Sequence, residues 1–85
     1  MKSRKIHNMK LYIYSLEKIL FEGDAEKLTL PAEEGEITIL RGHIPLVTTL
    51  SKGEIRYTNG NKKETISIES GFAHIDQKKS IVLVS

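Results

Sequence analysis

Apolar and polar residues alternate with a period of two along most of the chain. Leu11 and Ile13 alternate with Tyr12 and Tyr14 in KLYIYSL; Leu28 and Leu30 set the pattern in KLTLP, and Ile37 and Ile39 in EITIL. It returns as Ile55 and Tyr57 in EIRYT and as Ile66 and Ile68 in ETISIE, while SIVLVS is a short β-branched-rich run. Successive side chains of a strand point to opposite faces, so this spacing predicts half-buried strands. The prevalence of Ile, Val, Thr and Tyr agrees. Gly23, Pro31, Gly35, Gly42, Gly53, Gly60 and Gly71 punctuate the runs. Asn59-Gly60, between two alternating runs, predicts a hairpin with a type I′ turn, which needs positive φ at both central residues. IDQKKS is a weaker turn signal between FAHI and IVLVS. LEKILFEG has helical spacing at Leu16, Ile19 and Leu20, but nothing caps it and Gly23 ends it, so it is read as a strand or an irregular crossing. Many short strands with frequent turns predict an all-β fold, a flattened antiparallel sandwich or barrel.

Composition narrows the picture. Eighty-five residues allow one domain with a modest core, and 39% hydrophobic against 28% charged residues is a globular balance. Residues 1–8 are polar and basic and form a tail before the domain at 9–85; Met9 offers a second possible start. Cysteine is absent, which excludes disulfides and thiolate metal sites. The basic N-terminus lacks the apolar stretch of a secretory signal, and no run reaches the ~18 apolar residues of a membrane-spanning helix. A formal charge of +2 is too balanced to argue for nucleic acid.

Candidate chemistry is sparse. His7, His43 and His74 lie on three separate segments with no metal-ligand spacing. Glu33, Glu34 and Glu36 crowd around Gly35, yet an exposed turn gives carboxylates no environment that separates their pKa values. No nucleophile elbow or phosphate loop is present. No catalytic residue, metal or cofactor is therefore expected. A small barrel binding single-stranded nucleic acid would use Tyr12, Tyr14 and Tyr57 with Lys10, Arg56, Lys62 and Lys63. Acids intersperse those charges, and Phe21 and Phe72 read as core. A protein-docking module fits better: Gly35 and Gly42 bracket EITILR and would hold carboxylates at one tip and Arg41 and His43 at the other.

The order of segments from Leu20 to Tyr57 resembles the N-terminal domain of the ATP synthase epsilon subunit. Leu20-Phe21-Glu22-Gly23 is followed by Pro31, by Gly35-Glu36 and by the apolar Ile37 to Leu40. Gly42-His43-Ile44-Pro45-Leu46 and Thr49-Leu50 to Gly53 come next, and ESGFAHIDQKKSIVLVS matches the closing strands. Departures are Thr38 where the family has Gly, Arg41 where it has Pro, and Ser70-Gly71 for a double glycine. The resemblance implies a flattened sandwich of about ten short strands and a non-catalytic place in the central stalk of an F-type ATP synthase. That subunit links gamma to the membrane c ring and supports coupling of proton or sodium translocation to ATP synthesis. Glu34 and Glu36 match the family's c-ring contacts, and Ser15, His43 and Thr48 its gamma contacts. The membrane is reached only through the c ring, on the cytoplasmic side of a bacterial inner or plasma membrane. The family's C-terminal helical hairpin has no counterpart before Ser85. If the subunit ends there, hydrolysis by the assembled complex is expected to lack inhibition by that arm.

Overall fold

A computed structural model describes residues 8–85. Most of the basic segment 1–8, and His7 with it, lies outside the described residues. Among the described residues nine strands follow one another, against the roughly ten implied by the resemblance: β1 (Met9–Ser15), β2 (Ile19–Ala25), β3 (Lys27–Ala32), β4 (Gly35–Ile39), β5 (Leu46–Leu50), β6 (Gly53–Asn59), β7 (Lys62–Ile68), β8 (Gly71–Ile75) and β9 (Lys79–Val84). The segment with helical spacing forms β2, so the strand reading of LEKILFEG holds from Ile19 onward. Leu16, one of its three apolar positions, is 98% exposed.

Hydrogen bonding runs in the order β2-β1-β9-β8-β5-β3-β6-β7, with β4 added to β3. Pairs are antiparallel except β1–β9, which is parallel. The link between β5 and β3 is a single pair, Ala32 with Leu50. There the sheet turns over, and the layer β2-β1-β9-β8-β5 packs on the layer β4-β3-β6-β7. Leu11, Ile13 and Val82 from one layer meet Leu28, Leu30, Ile39 and Ile55 from the other, all fully buried. Burying such a side chain stabilises by about 1.5–3 kcal/mol. The molecule measures 41 × 25 × 17 Å, thin enough for one shared layer of core. Ser80 is fully buried among these residues and its hydroxyl lies 3.7 Å from the Met9 sulfur.

Turn chemistry departs from the expectation at one place. Asn59 pairs with Lys62 and stays in the strand, so the two-residue loop is Gly60-Asn61. Only Gly60 has positive φ, +67°, the type II′ rather than the type I′ arrangement. The ladder keeps Asn59 extended and moves the reversal one residue on. In the β3–β4 turn Glu33 and Glu34 occupy the tip, and the positive φ, +133°, falls on Gly35. Between β4 and β5 the His43 N–H donates to the Leu40 carbonyl at 3.0 Å, with Gly42 at φ +87° in the third position. This is a type II turn, in which Arg41 occupies the position where proline is common.

Candidate functional site

The register places one set of side chains on the outer surface of the layer β2-β1-β9-β8-β5. Tyr14, Leu83, Phe72 and Thr49 are cross-strand neighbours in one row; Tyr12, Ile81, His74 and Val47 form the next. The face is largely apolar. Val47 is 55% exposed, Leu83 48% and Phe72 41%, with Tyr12, Tyr14 and Ile81 half-buried beside them. Ile19 extends it over β2, opposite Tyr14. At the rim the Tyr14 hydroxyl donates to Glu22 Oε2 at 2.8 Å, which holds the phenol above the ordinary tyrosine pKa, helped by desolvation. Lys10 pairs with Asp24 at 3.0 Å and is raised in pKa by that hydrogen bond and charge.

The outer surface of the second layer is different in kind. Thr38, Thr29, Arg56 and Thr65 form one row and Lys27, Thr58 and Lys63 the next. The Thr29 and Thr38 hydroxyls lie 3.3 Å apart, which gives Thr38 a partner at a position where the family has glycine. Arg56 reaches across β3 to Glu36 at 2.8 Å. An uncovered apolar sheet face on a small domain marks an interaction surface; a polar one needs no partner.

Among the expected contact residues, Glu34 is exposed at the β3–β4 tip and Glu36 is exposed beside it on β4, engaged by Arg56. His43 is half-buried in the β4–β5 loop, with Nδ1 2.7 Å from the Ile44 carbonyl oxygen. That loop is tied to the β8–β9 turn by the Gly42 N–H donating to the Gln77 carbonyl at 2.8 Å. Ser15 closes β1, and its hydroxyl accepts from the N–H groups of Glu17 and Lys18 at 3.3 and 3.2 Å. Thr48 sits half-buried on the inner side of β5, opposite Ala73. Ser15 and Thr48 stand on strands separated by β9 and β8, and His43 lies at the other end of those strands from Ser15. These three residues edge one layer rather than converge on a point.

Two aromatic readings change. Phe72, taken as core, faces outward, because it neighbours Leu83 and Thr49 while Ala73 fills the core position. Tyr57, a candidate nucleic-acid platform, is 6% exposed and packs on Phe21 with ring centroids 4.5 Å apart. Desolvation and Glu64 raise its pKa. No group of three or more His, Asp or Glu among the described residues is placed to hold a metal ion. The outer-face residues Val47, Ile81 and Leu83 were not singled out from the sequence. For Ile81 and Leu83 the signal was the unbroken apolar run Ile81–Val84, since a strand apolar on both faces loses its alternation.

Comparison with known proteins agrees with this architecture. The family of ATP synthase delta/epsilon chain β-sandwich domains matches residues 8–85. The ATP synthase epsilon chain of Dichelobacter nodosus is 37% identical over 75 residues, covering 87% of this chain and 52% of the relative. That of Leptospira borgpetersenii is 36% identical over 77 residues, covering 91% of this chain and 61% of its own length. The chain thus spans between half and two thirds of these curated relatives. A chain in the Euglena gracilis mitochondrial ATP synthase structure shares the fold with a TM-score of 0.84 at 24% identity, over 91% of this chain and 50% of that one. A chain in the central stalk/c-ring structure of the Tetrahymena thermophila mitochondrial enzyme gives a TM-score of 0.73 at 13% identity, over 99% of this chain and 66% of that one. The protein belongs to the ATP synthase epsilon chain family, and residues 8–85 are its N-terminal β-sandwich domain.

Proposed function

We infer that this chain is a non-catalytic rotor subunit of an F-type ATP synthase, holding the gamma subunit and resting on the membrane c ring. The carrying observation is the contrast between its two outer faces: one apolar across Val47, Phe72, Leu83 and Ile19, the other polar and hydroxyl-rich. On this reading the apolar face and its edges at Ser15, His43 and Thr48 meet gamma. The exposed tip with Glu34, and Glu36 beside it, meets the polar loops of the ring, where charge complementarity fixes orientation more than it adds affinity. Fold neighbours in structures described by their c rings and central stalk support the assignment. The chain would sit at the membrane without entering it, and would support coupling of ion translocation to ATP synthesis through a rigid connection.

The test is a pull-down of the chain from native membranes. Gamma and ring subunits are expected in the eluate. Recovery of neither, with the chain folded and present, would overturn the assignment.

A further inference from the structure

The described residues carry ten Lys and Arg against eleven Asp and Glu, a near balance that hides a separation along the strands. At one end, backbone bonds join Lys10 to Lys78, Gly42 to Gln77 and Glu26 to Thr58. This gathers the β8–β9 turn, the β4–β5 loop, the start of β3 and the β6–β7 hairpin. The pairs Lys62–Lys63 and Lys78–Lys79, with Lys10, Lys27 and Arg41, are exposed there, seven cations against the four acids Asp24, Glu26, Glu64 and Asp76. Two of these acids are already engaged. Asp24 pairs with Lys10, and Asp76 Oδ1 accepts the backbone N–H groups of Lys78 and Lys79 at 2.8 and 2.9 Å.

The opposite end is the mirror image in charge. Glu33 N–H donates to Thr49, Ser51 to Pro31 and Glu69 to Ser85, which brings the other turns together. Glu17, Glu33, Glu34, Glu36, Glu54 and Glu69 are exposed there against Lys18, Lys52 and the Arg56 that pairs with Glu36, six anions against three cations. The seven residues of β1 separate the two ends by about 20 Å at ~3.3 Å per residue. That exceeds twice the Debye length of ~8 Å at physiological ionic strength. The two fields therefore do not cancel in solution, and each end addresses its own partner.

We propose that the basic end is a further docking surface, separate from the apolar face, for an acidic segment of a neighbouring protein chain. The proposal rests on the orientation given above. With the acidic end on the ring, the basic end points away from the bilayer, which takes anionic headgroups out of reach and leaves a carboxylate-rich protein surface as the complement. Such a contact steers assembly and fixes the polarity of the domain on the rotor.

The test uses the intact complex from native membranes, treated with a carbodiimide that joins touching lysines and carboxylates. Isopeptide bonds from Lys62, Lys63, Lys78 or Lys79 to Asp or Glu of another polypeptide are expected. In K78E/K79E the bonds at those two positions disappear, and the chain dissociates at lower salt than the wild type. Lysines that link only within the chain, while it remains in the complex, would overturn the proposal. So would co-sedimentation of the full chain with phosphatidylglycerol vesicles that K78E/K79E abolishes, since that assigns the surface to lipid. Links from Glu33, Glu34 or Glu36 to ring lysines, read in the same digest, report on the orientation separately.

Discussion

Truncating Phe72 to alanine tests the apolar face where it is most informative. The ring is 41% exposed, and its cross-strand neighbours are Leu83 and Thr49. An aromatic side chain offers about 200 Å² to burial, so roughly 80 Å² of Phe72 is open to a partner. At about 25 cal/mol per Å² its removal costs close to 2 kcal/mol of association. Because each ~1.4 kcal/mol is tenfold, the dissociation constant for gamma should rise about 30-fold. The buried remainder of the ring rests on the sheet, so the free chain should lose stability as well, about 1–3 kcal/mol on the same scale, while Ala73 and Val82 keep the core positions filled. The assay is titration of immobilised gamma with wild-type and Phe72→Ala chains, with urea unfolding of each free chain as control. A change in affinity below threefold, with both chains folded at the assay temperature, would refute the assignment of this face to gamma.

Glu36→Lys loses the Arg56 ion pair, but both side chains are about half exposed. Unfolding of the free chain should shift by about 1 kcal/mol or less, while proton-driven ATP synthesis in vesicles falls; undisturbed coupling would remove Glu36 from the ring contact. His43→Ala should weaken association with gamma, checked in the same titration. At Gly71 an added Cβ would lie 2.7 Å from the Leu83 carbonyl oxygen, on a neighbouring strand that cannot swing aside. Gly71→Ala should therefore cost about 1–3 kcal/mol in urea unfolding, more than the ~0.4–1 kcal/mol gained from a stiffer unfolded chain. The backbone N–H groups of Lys78 and Lys79 hold the Asp76 carboxyl below its usual pKa. A depressed folded-state pKa contributes stability that is complete above the unfolded value near ~3.9 and is lost as pH falls through the folded value. The stability difference between wild type and Asp76→Ala should therefore be flat at neutral pH and shrink in acid below that value.

The strands were legible because one buried face imposes a period of two. Leu11, Ile13, Leu28, Leu30, Ile39 and Ile55 all occupy the core that their alternation predicts. What the alternation cannot carry is pairing at long range. The parallel contact of β1 with β9 joins residues some seventy positions apart, and it is this contact that puts Tyr12 and Tyr14 beside Ile81 and Leu83. The Glu36–Arg56 bridge spans 20 residues for the same reason. The hairpin at Gly60 was found but displaced by one residue, because a glycine satisfies either turn and the ladder decides between them. The carboxylate cluster at Gly35 and the histidine beyond it looked adjacent in sequence. β4 separates them, and the Gln77 bond ties the histidine loop to the far turn.

The layer that carries the proposed gamma contact has a physical peculiarity that joins stability to function. β9 is apolar on both sides: Val82 and Val84 enter the core, while Ile81 and Leu83 reach the outer face. An isolated domain has reason to bury only the first pair. The second pair, with Phe72 and Val47 beside it, remains partly open to water and adds less to the stability of the free chain than the core pair does. Selection for folding alone would favour polar residues there, as on the opposite layer with its Thr29, Thr38, Thr58 and Thr65. A partner that covers this face binds the folded chain and not the unfolded one, so it stabilises the domain by mass action. The thin 17 Å sandwich then gains a third layer from its neighbour. The same strands that span the core would carry the load between gamma and the acidic tip, which a loop-built contact could not do without yielding.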